Sequence, residues 1–262
     1  MEKLESYYHK AKRLEEQEQY QDAIAAYTQA IEASAEDVEA LIARADLYSD
    51  MGYYSEAVAD YSEALVVDPD NAYAYEGRGD AYSSMGNPDQ AIVDFTKSIE
   101  LSPDRASVFY NRGLTYATRR QGKESIADFT QAIDLDPNHG GAYNNRGLHY
   151  ATQGNHELAI IDFSKSIIVR PGFACSFNHR GRSLQEMGKT DQAIGDYTEA
   201  LKIASGNTEA LYRRGMAWEI QGQMSKAILD FRELLQVAVP SHPYREIVEK
   251  KIRDLVESME FR

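Results

Sequence analysis

The sequence predicts an all-α array of stacked helix hairpins, and three observations carry that expectation. A pattern of large, small and aromatic residues recurs seven times on a 34-residue period, with no insertion. Within each copy the apolar residues fall at helical spacing, not at the alternation of a strand. Gly or Pro stands where one helical run must stop and the next begin.

The clearest copy is residues 140–173, marked by Tyr143, Gly147, Tyr150, Gly154, Ala159, Phe163, Ser166 and Pro171. One period earlier stand Phe109, Gly113, Tyr116, Phe129, Ala132 and Pro137, and before those Tyr75, Gly79, Tyr82, Gly86, Ala91, Phe95, Ser98 and Pro103. One period later stand Phe177, Gly181, Leu184, Gly188, Ala193, Tyr197 and Ala200. The frame runs 4–37, 38–71, 72–105, 106–139, 140–173, 174–207 and 208–241. Each copy is read as two antiparallel helices. The small residues let the helices approach, the aromatics fill the seam, and the closing Pro ends the second helix. One hairpin cannot bury its apolar face alone; a stack of neighbours can.

Taken in order, the first helix spans 2–17 and carries Glu and Lys on its outer face, as a terminal repeat needs. Repeats two and three follow the pattern closely. Repeat four departs at its turn, where Arg120 occupies the place of Gly52, Gly86, Gly154, Gly188 and Gly222. A non-glycine at positive φ costs about 1 kcal/mol, so the expectation is that the first helix runs on and the turn moves to Gly122. Repeat seven ends late, at Pro240. Beyond it Pro243 suits the first turn of a helix. Tyr244, Ile247, Val248, Lys251, Ile252, Leu255 and Met259 form one stripe, so 243–260 is expected to be a helix capping the last apolar face.

A polar pattern runs through the same frame. Arg44, Arg78, Arg112, Arg146, Arg180 and Arg214 are each followed sixteen residues later by Asp60, Asp94, Asp128, Asp162, Asp196 and Asp230. Because each cation brings its own anion, the expected role is an Arg–carboxylate tie between helices of one repeat.

The formal net charge is −14 and it is uneven. Residues 1–105 hold 23 Asp and Glu against 8 Lys and Arg, while the rest is near balance at 19 against 20. The acidic half is either a solvated surface or a site for a basic partner. The charge opposes phosphate binding and hence a nucleic-acid partner. No apolar run has the length of a membrane span. One Cys rules out an internal disulfide framework, and the start lacks an apolar signal core. A cytoplasmic location is expected.

Enzyme and metal motifs fail residue by residue. His156-Glu157 begins a zincin-like run, but Ile160 stands where the second His is required. Asp134, Asp136 and Asn138 mimic a calcium loop, yet His139 replaces its Gly and Asn145 its closing Glu. No P-loop, G-x-S-x-G or C-x-x-C occurs. No catalytic residue, cofactor or metal is expected.

The 34-residue pattern resembles the tetratricopeptide repeat (TPR) family, and the resemblance extends from residue 4 to 241. It implies a right-handed superhelical solenoid whose first helices line a concave groove for proteins or peptides. Carried over position by position, it implies a groove lined by Glu39, Asp46, Asp50, Glu76 and Asp80 in repeats two and three. Tyr110, Asn111, Asn144, Asn145, Asn178, His179, Arg182, Tyr212 and Arg213 follow in repeats four to seven. The asparagines resemble the ladders that hold an extended peptide backbone in some TPR grooves, since an amide both donates and accepts. The carboxylate clamp of TPR co-chaperones is not matched: its best window offers Asn144, Leu148, His179, Glu209 and Arg213. The resulting expectation is a non-enzymatic adaptor for a protein or extended peptide with a basic segment. The alternative is a scaffold that self-associates through its ends or convex face.

Overall fold

The computed structural model describes residues 2–260, with side chains from 7 to 259. Among the described residues there are fifteen α-helices and no strand. They fall into two compact units, divided after Pro137.

Unit 1 contains α1 (Glu2–Glu16), α2 (Tyr20–Ala33), α3 (Val38–Asp50), α4 (Tyr54–Val67), α5 (Ala72–Ser84), α6 (Pro88–Leu101), α7 (Ala106–Thr118) and α8 (Gly122–Leu135). Unit 2 contains α9 (Gly140–Thr152), α10 (His156–Val169), α11 (Ala174–Glu186), α12 (Thr190–Ile203), α13 (Thr208–Ile220), α14 (Met224–Val237) and α15 (Arg245–Glu260). In each unit consecutive helices pair as hairpins, and the second helix of one hairpin packs on the first helix of the next. The result is an all-α array of stacked antiparallel pairs with one added helix.

Sequence dictates the helix ends. Asp37, Asn71 and Asn207 each accept the backbone N–H three residues on, at 3.0 Å, and so start α3, α5 and α13. Within five hairpins the turn is a left-handed glycine, as at Gly52 (φ 80°) and Gly154 (φ 79°). Repeat four differs from the expectation. Helix α7 stops at Thr118, the turn does not move to Gly122, and Arg120 itself takes φ 59°. Glu18 does the same in the first repeat. The reason lies in the hydrogen bonds. Gln121 N–H reaches the Tyr116 carbonyl at 2.9 Å, as Tyr53 N–H reaches Tyr48 at 2.8 Å and Asn155 N–H reaches Tyr150 at 2.9 Å. This bond and the packing of α7 against α8 fix the turn, and about 1 kcal/mol of local strain is smaller than the cost of rebuilding that seam.

The seams are close. A Cβ on Gly147 would stand 2.8 Å from the Phe163 ring, which is fully buried. The same contact recurs between Gly79 and Phe95 and between Gly181 and Tyr197, again at 2.8 Å. Gly147→Val is therefore expected to overpack the seam and cost about 3 kcal/mol in urea unfolding. Gly195→Ala, on an open face of α12 with nothing within 4 Å, is expected to gain up to about 1 kcal/mol from helix propensity. Equal effects at the two sites would refute the close-approach account.

The Arg–Asp ties form as expected, within the repeat. Arg78 donates through Nε and Nη2 to Asp94 at 2.7 and 2.8 Å, and Arg44, Arg112, Arg146, Arg180 and Arg214 repeat the geometry. The structure adds a third partner. Arg44 Nη1 donates to Thr28, Arg78 to Ser62, Arg112 to Thr96, Arg180 to Ser164 and Arg214 to Thr198, at 2.9–3.2 Å. Each of these hydroxyls sits on the second helix of the preceding hairpin. It donates its own proton to the carbonyl four residues back, as Ser62 does to Val58, which leaves the oxygen free to accept. Every such guanidinium thus brackets two neighbouring repeats, and none of these arginines is available as a ligand stripe.

Helix α15 begins at Arg245, two residues later than expected. The Tyr244 carbonyl already accepts the Val248 N–H at 2.9 Å, so Tyr244 caps the helix and Pro243 precedes it. Val248 and Leu255 are buried against Phe231, Leu234 and Ala238. Ile247 and Met259, placed in the same stripe by sequence, remain about half exposed.

Candidate functional site

In unit 1 the first helices α3 and α5 bring Asp46, Asp50, Glu76 and Asp80 to one cavity of about 410 Å³, joined by Glu15, Tyr61, Tyr73 and Arg105. Asp46 accepts the hydroxyl of Tyr61 at 2.5 Å and that of Tyr73 at 3.2 Å. Desolvation still holds its carboxyl above the usual value, because the two phenols only partly offset burial. Glu76 is buried and takes Ser107 Oγ at 2.9 Å and the Arg105 guanidinium. Asp80 accepts Asn111 Nδ2 at 2.9 Å. Desolvation first, and the Glu76 carboxylate second, push the Asp80 carboxyl up to about 7. Its outer edge stays open to water, so the surrounding walls and the neighbouring charge act without full burial. Glu39 lies exposed on α3 and outside the cavity lining. Tyr110 packs against the Phe129 ring at 5.8 Å.

Unit 2 has a different character. One cavity, of about 430 Å³, lies among α9, α10 and α11 and includes His179 and Arg182. Asn144 and Asn178 are buried beneath this surface. The Asn144 carbonyl oxygen already accepts from Ser176 Oγ at 3.2 Å and faces His179 Nδ1 at 3.0 Å. Asn145 is half-buried on α9. Tyr212 stacks on Tyr244 with ring centroids 4.3 Å apart, so the segment before α15 covers one face of it. Arg213 is held by Glu209 at 2.8 Å. The residues expected from sequence thus separate into an acidic set on unit 1 and a mixed set on unit 2.

Two features were not expected. Ser183 lines the unit 2 cavity with a buried hydroxyl, and nothing in its spacing marks it. The bracket hydroxyls do carry a sequence signal, since Thr28, Ser62, Thr96, Ser164 and Thr198 obey the same 34-residue frame. Among the described residues, no group of His, Cys, Asp and Glu is placed to hold a metal ion, and no helix is long and apolar enough to cross a membrane.

Comparison with known proteins gives a consistent answer. The family described as "Tetratricopeptide repeat" matches residues 8–49, 110–172 and 179–243, and a second description of the same repeat matches 72–105. "TPR repeat" matches 45–86. A search of curated proteins finds no match. Among solved structures, the chain is similar to MamA at 27% identity, covering 62% of this chain and 94% of that one with a TM-score of 0.58. It is similar to YrrB, described as a TPR protein with an unusual peptide-binding site, at 26% identity, over 71% of this chain and 95% of that one with a TM-score of 0.60. A tetratricopeptide repeat protein from Parabacteroides merdae shares the fold over 98% of this chain and all of its own, at 18% identity and a TM-score of 0.69. The chain belongs to the tetratricopeptide repeat family, whose members mediate contacts between proteins and are usually non-enzymatic.

Proposed function

We propose that the chain is a non-enzymatic adaptor that binds an extended peptide along its first helices, with a basic segment of that peptide on unit 1. The observation that carries this reading is the convergence of four carboxylates from two helices on one cavity, with Arg105 paired to one of them. The similarity to YrrB adds support, as that protein is described by its peptide-binding site. In this reading Asn111 and Asn145 meet the peptide backbone, while the buried Asn144 and Asn178 support the surface from below.

The titration of Asp80 sets the pH dependence. In the free protein its carboxyl holds a proton until about pH 7. A bound cation favours the carboxylate, so binding releases that proton and weakens as pH falls through 7. The affinity of a fluorescein-labelled extended peptide carrying four lysines is expected to drop about tenfold from pH 8 to pH 6. Added salt weakens it further. Asp80→Asn is expected to remove most of the pH response. Fluorescence anisotropy checks both statements. Binding that ignores pH, or equal affinity for the lysine-acetylated peptide, would sink the basic-segment reading.

One observation favours a second reading, self-association through the outer face. On α10, Leu158, Ile161 and Ile168 lie in one exposed row with Lys165 between them, and Ile168 is 73% exposed. Sedimentation at several concentrations separates this scaffold from a monomeric adaptor.

A further inference from the structure

The unit 2 cavity carries polar groups that meet no hydrogen-bond partner among the described residues. Ser183 is 1% exposed, and its Oγ meets no hydrogen-bond partner among the described residues. Nδ1 of His156 is likewise buried and unpartnered. Both side chains line the cavity, with Phe163 as its floor and Leu148 on its wall. The His179 ring lies 5.5 Å from that of Phe163.

The hydrogen-bonding sense of His179 follows from its neighbour. Asn144 Oδ1 accepts from Ser176, so it also accepts from His179, and Nδ1 carries the hydrogen. Burial pushes the His179 pKa down, aided by Arg182 and Arg213 and opposed by Glu209, so the imidazole is neutral. Its Nε2 is then a bare acceptor. At the rim stand one cation, Arg182, and one anion, Glu186, both exposed.

These features select a neutral guest. The one cation and the one anion at the rim offset each other, so an ionised guest gains no net attraction to repay the desolvation of its charge. The floor and wall are apolar and aromatic, suited to a flat ring. The hydroxyl of Ser183 both donates and accepts, and Nε2 of His179 accepts. A ring bearing one group that donates and accepts satisfies them together. We propose that this cavity receives the side chain of a tyrosine presented by the bound peptide. The phenol hydroxyl donates to an imidazole nitrogen and accepts from Ser183, while the ring packs over Phe163. The proposal rests on the reading that the chain binds peptides, but it concerns unit 2 and not the acidic cavity.

The test uses the full chain, isotope-labelled, with N-acetyl-tyrosinamide, N-acetyl-phenylalaninamide and N-acetyl-aspartamide as probes. Saturable shifts of the His156 and His179 imidazole signals and of the Ser183 amide are expected with the tyrosine probe. The phenylalanine probe should bind about tenfold more weakly, because it leaves buried polar groups unpaired. Ser183→Ala should reduce that preference without weakening the phenylalanine probe or the fold, since its hydroxyl has no partner to lose. Absence of shifts at these residues overturns the proposal. So does equal binding of the tyrosine and phenylalanine probes by the unaltered protein, or tighter binding of the aspartate probe. The four-lysine peptide, read on α3 and α5 signals in the same sample, reports separately on unit 1. Lysine-peptide binding without tyrosine binding defeats this proposal alone, and the converse defeats only the basic-segment reading.

Discussion

Asp94→Ala is expected to cost unit 1 about 3 kcal/mol, because it leaves a guanidinium buried without its carboxylate. The Asp94 side chain is 4% exposed and that of Arg78 20%. Removing the carboxylate leaves a mostly buried guanidinium with one hydroxyl, Ser62, as its partner. Such a charge loses its solvation and regains little. Ser62→Ala removes one neutral contact of the guanidinium, together with the local bond to the Val58 carbonyl, and should cost about 1 kcal/mol. Replacing both partners, Arg78→Met with Asp94→Leu, should recover much of the loss, because no buried charge then remains. Urea unfolding of the full chain measures all three. A loss below about 1 kcal/mol for Asp94→Ala would mean that water reaches the guanidinium and that the tie is ornamental.

Removing the last helix is expected to have a larger effect still. A chain ending at Ser241 loses Val248 and Leu255, each worth about 2 kcal/mol of burial, together with the partial cover from Tyr244, Ile252 and Val256. It also loses the Lys251–Glu219 ion pair at 2.7 Å and the Arg245 guanidinium, which donates to the Leu235 and Ala238 carbonyls at the end of α14. Phe231 and Leu234 would then face water as one apolar patch, and such patches drive association. The expected result is a lower unfolding midpoint and concentration-dependent mass in light scattering. A monodisperse 1–241 protein that melts like the full chain would remove the capping role. Ile247→Ser and Met259→Ser, on the exposed side of the same helix, should change little.

What could be seen in advance was whatever the 34-residue period controls. The helix count, the Gly–aromatic seams and the Arg–Asp ties are all local spacings, and each formed where the spacing placed it. The turn at Arg120 was not legible, because propensity at one residue competes there with the closing hydrogen bond and the packing of its own hairpin. Glu18 took the same conformation with the same closing bond, Gln19 N–H to the Leu14 carbonyl at 2.8 Å. The start of α15 slid from Pro243 to Arg245 because the cap is chosen by a backbone hydrogen bond from Val248, which the apolar stripe does not encode. Among the candidate site residues, sequence placed Asp46, Glu76 and Asp80 on one surface, and they do share a cavity. It could not tell that Asn144 and Asn178 are buried while Asn145 is not. That depends on how closely adjacent first helices approach, and repeat position alone carries no such distance.

The arginine bracket has one more consequence, which concerns order. Repeats 38–71, 72–105 and 174–207 each hold both halves of a lock: an arginine that reads the hydroxyl behind it, and a hydroxyl to be read by the arginine ahead. The two outer repeats hold one half each. Repeat 4–37 has Thr28 but Lys10 in place of the arginine, and repeat 208–241 has Arg214 but Arg232 where the hydroxyl would be. The modules are therefore directional and not freely interchangeable. A duplicate of 72–105 inserted after residue 105 would keep the locks of unit 1 closed. A copy of 208–241 in the same place would set Arg232 against Arg112, two guanidinium groups competing for Asp128, and the array would part at that joint.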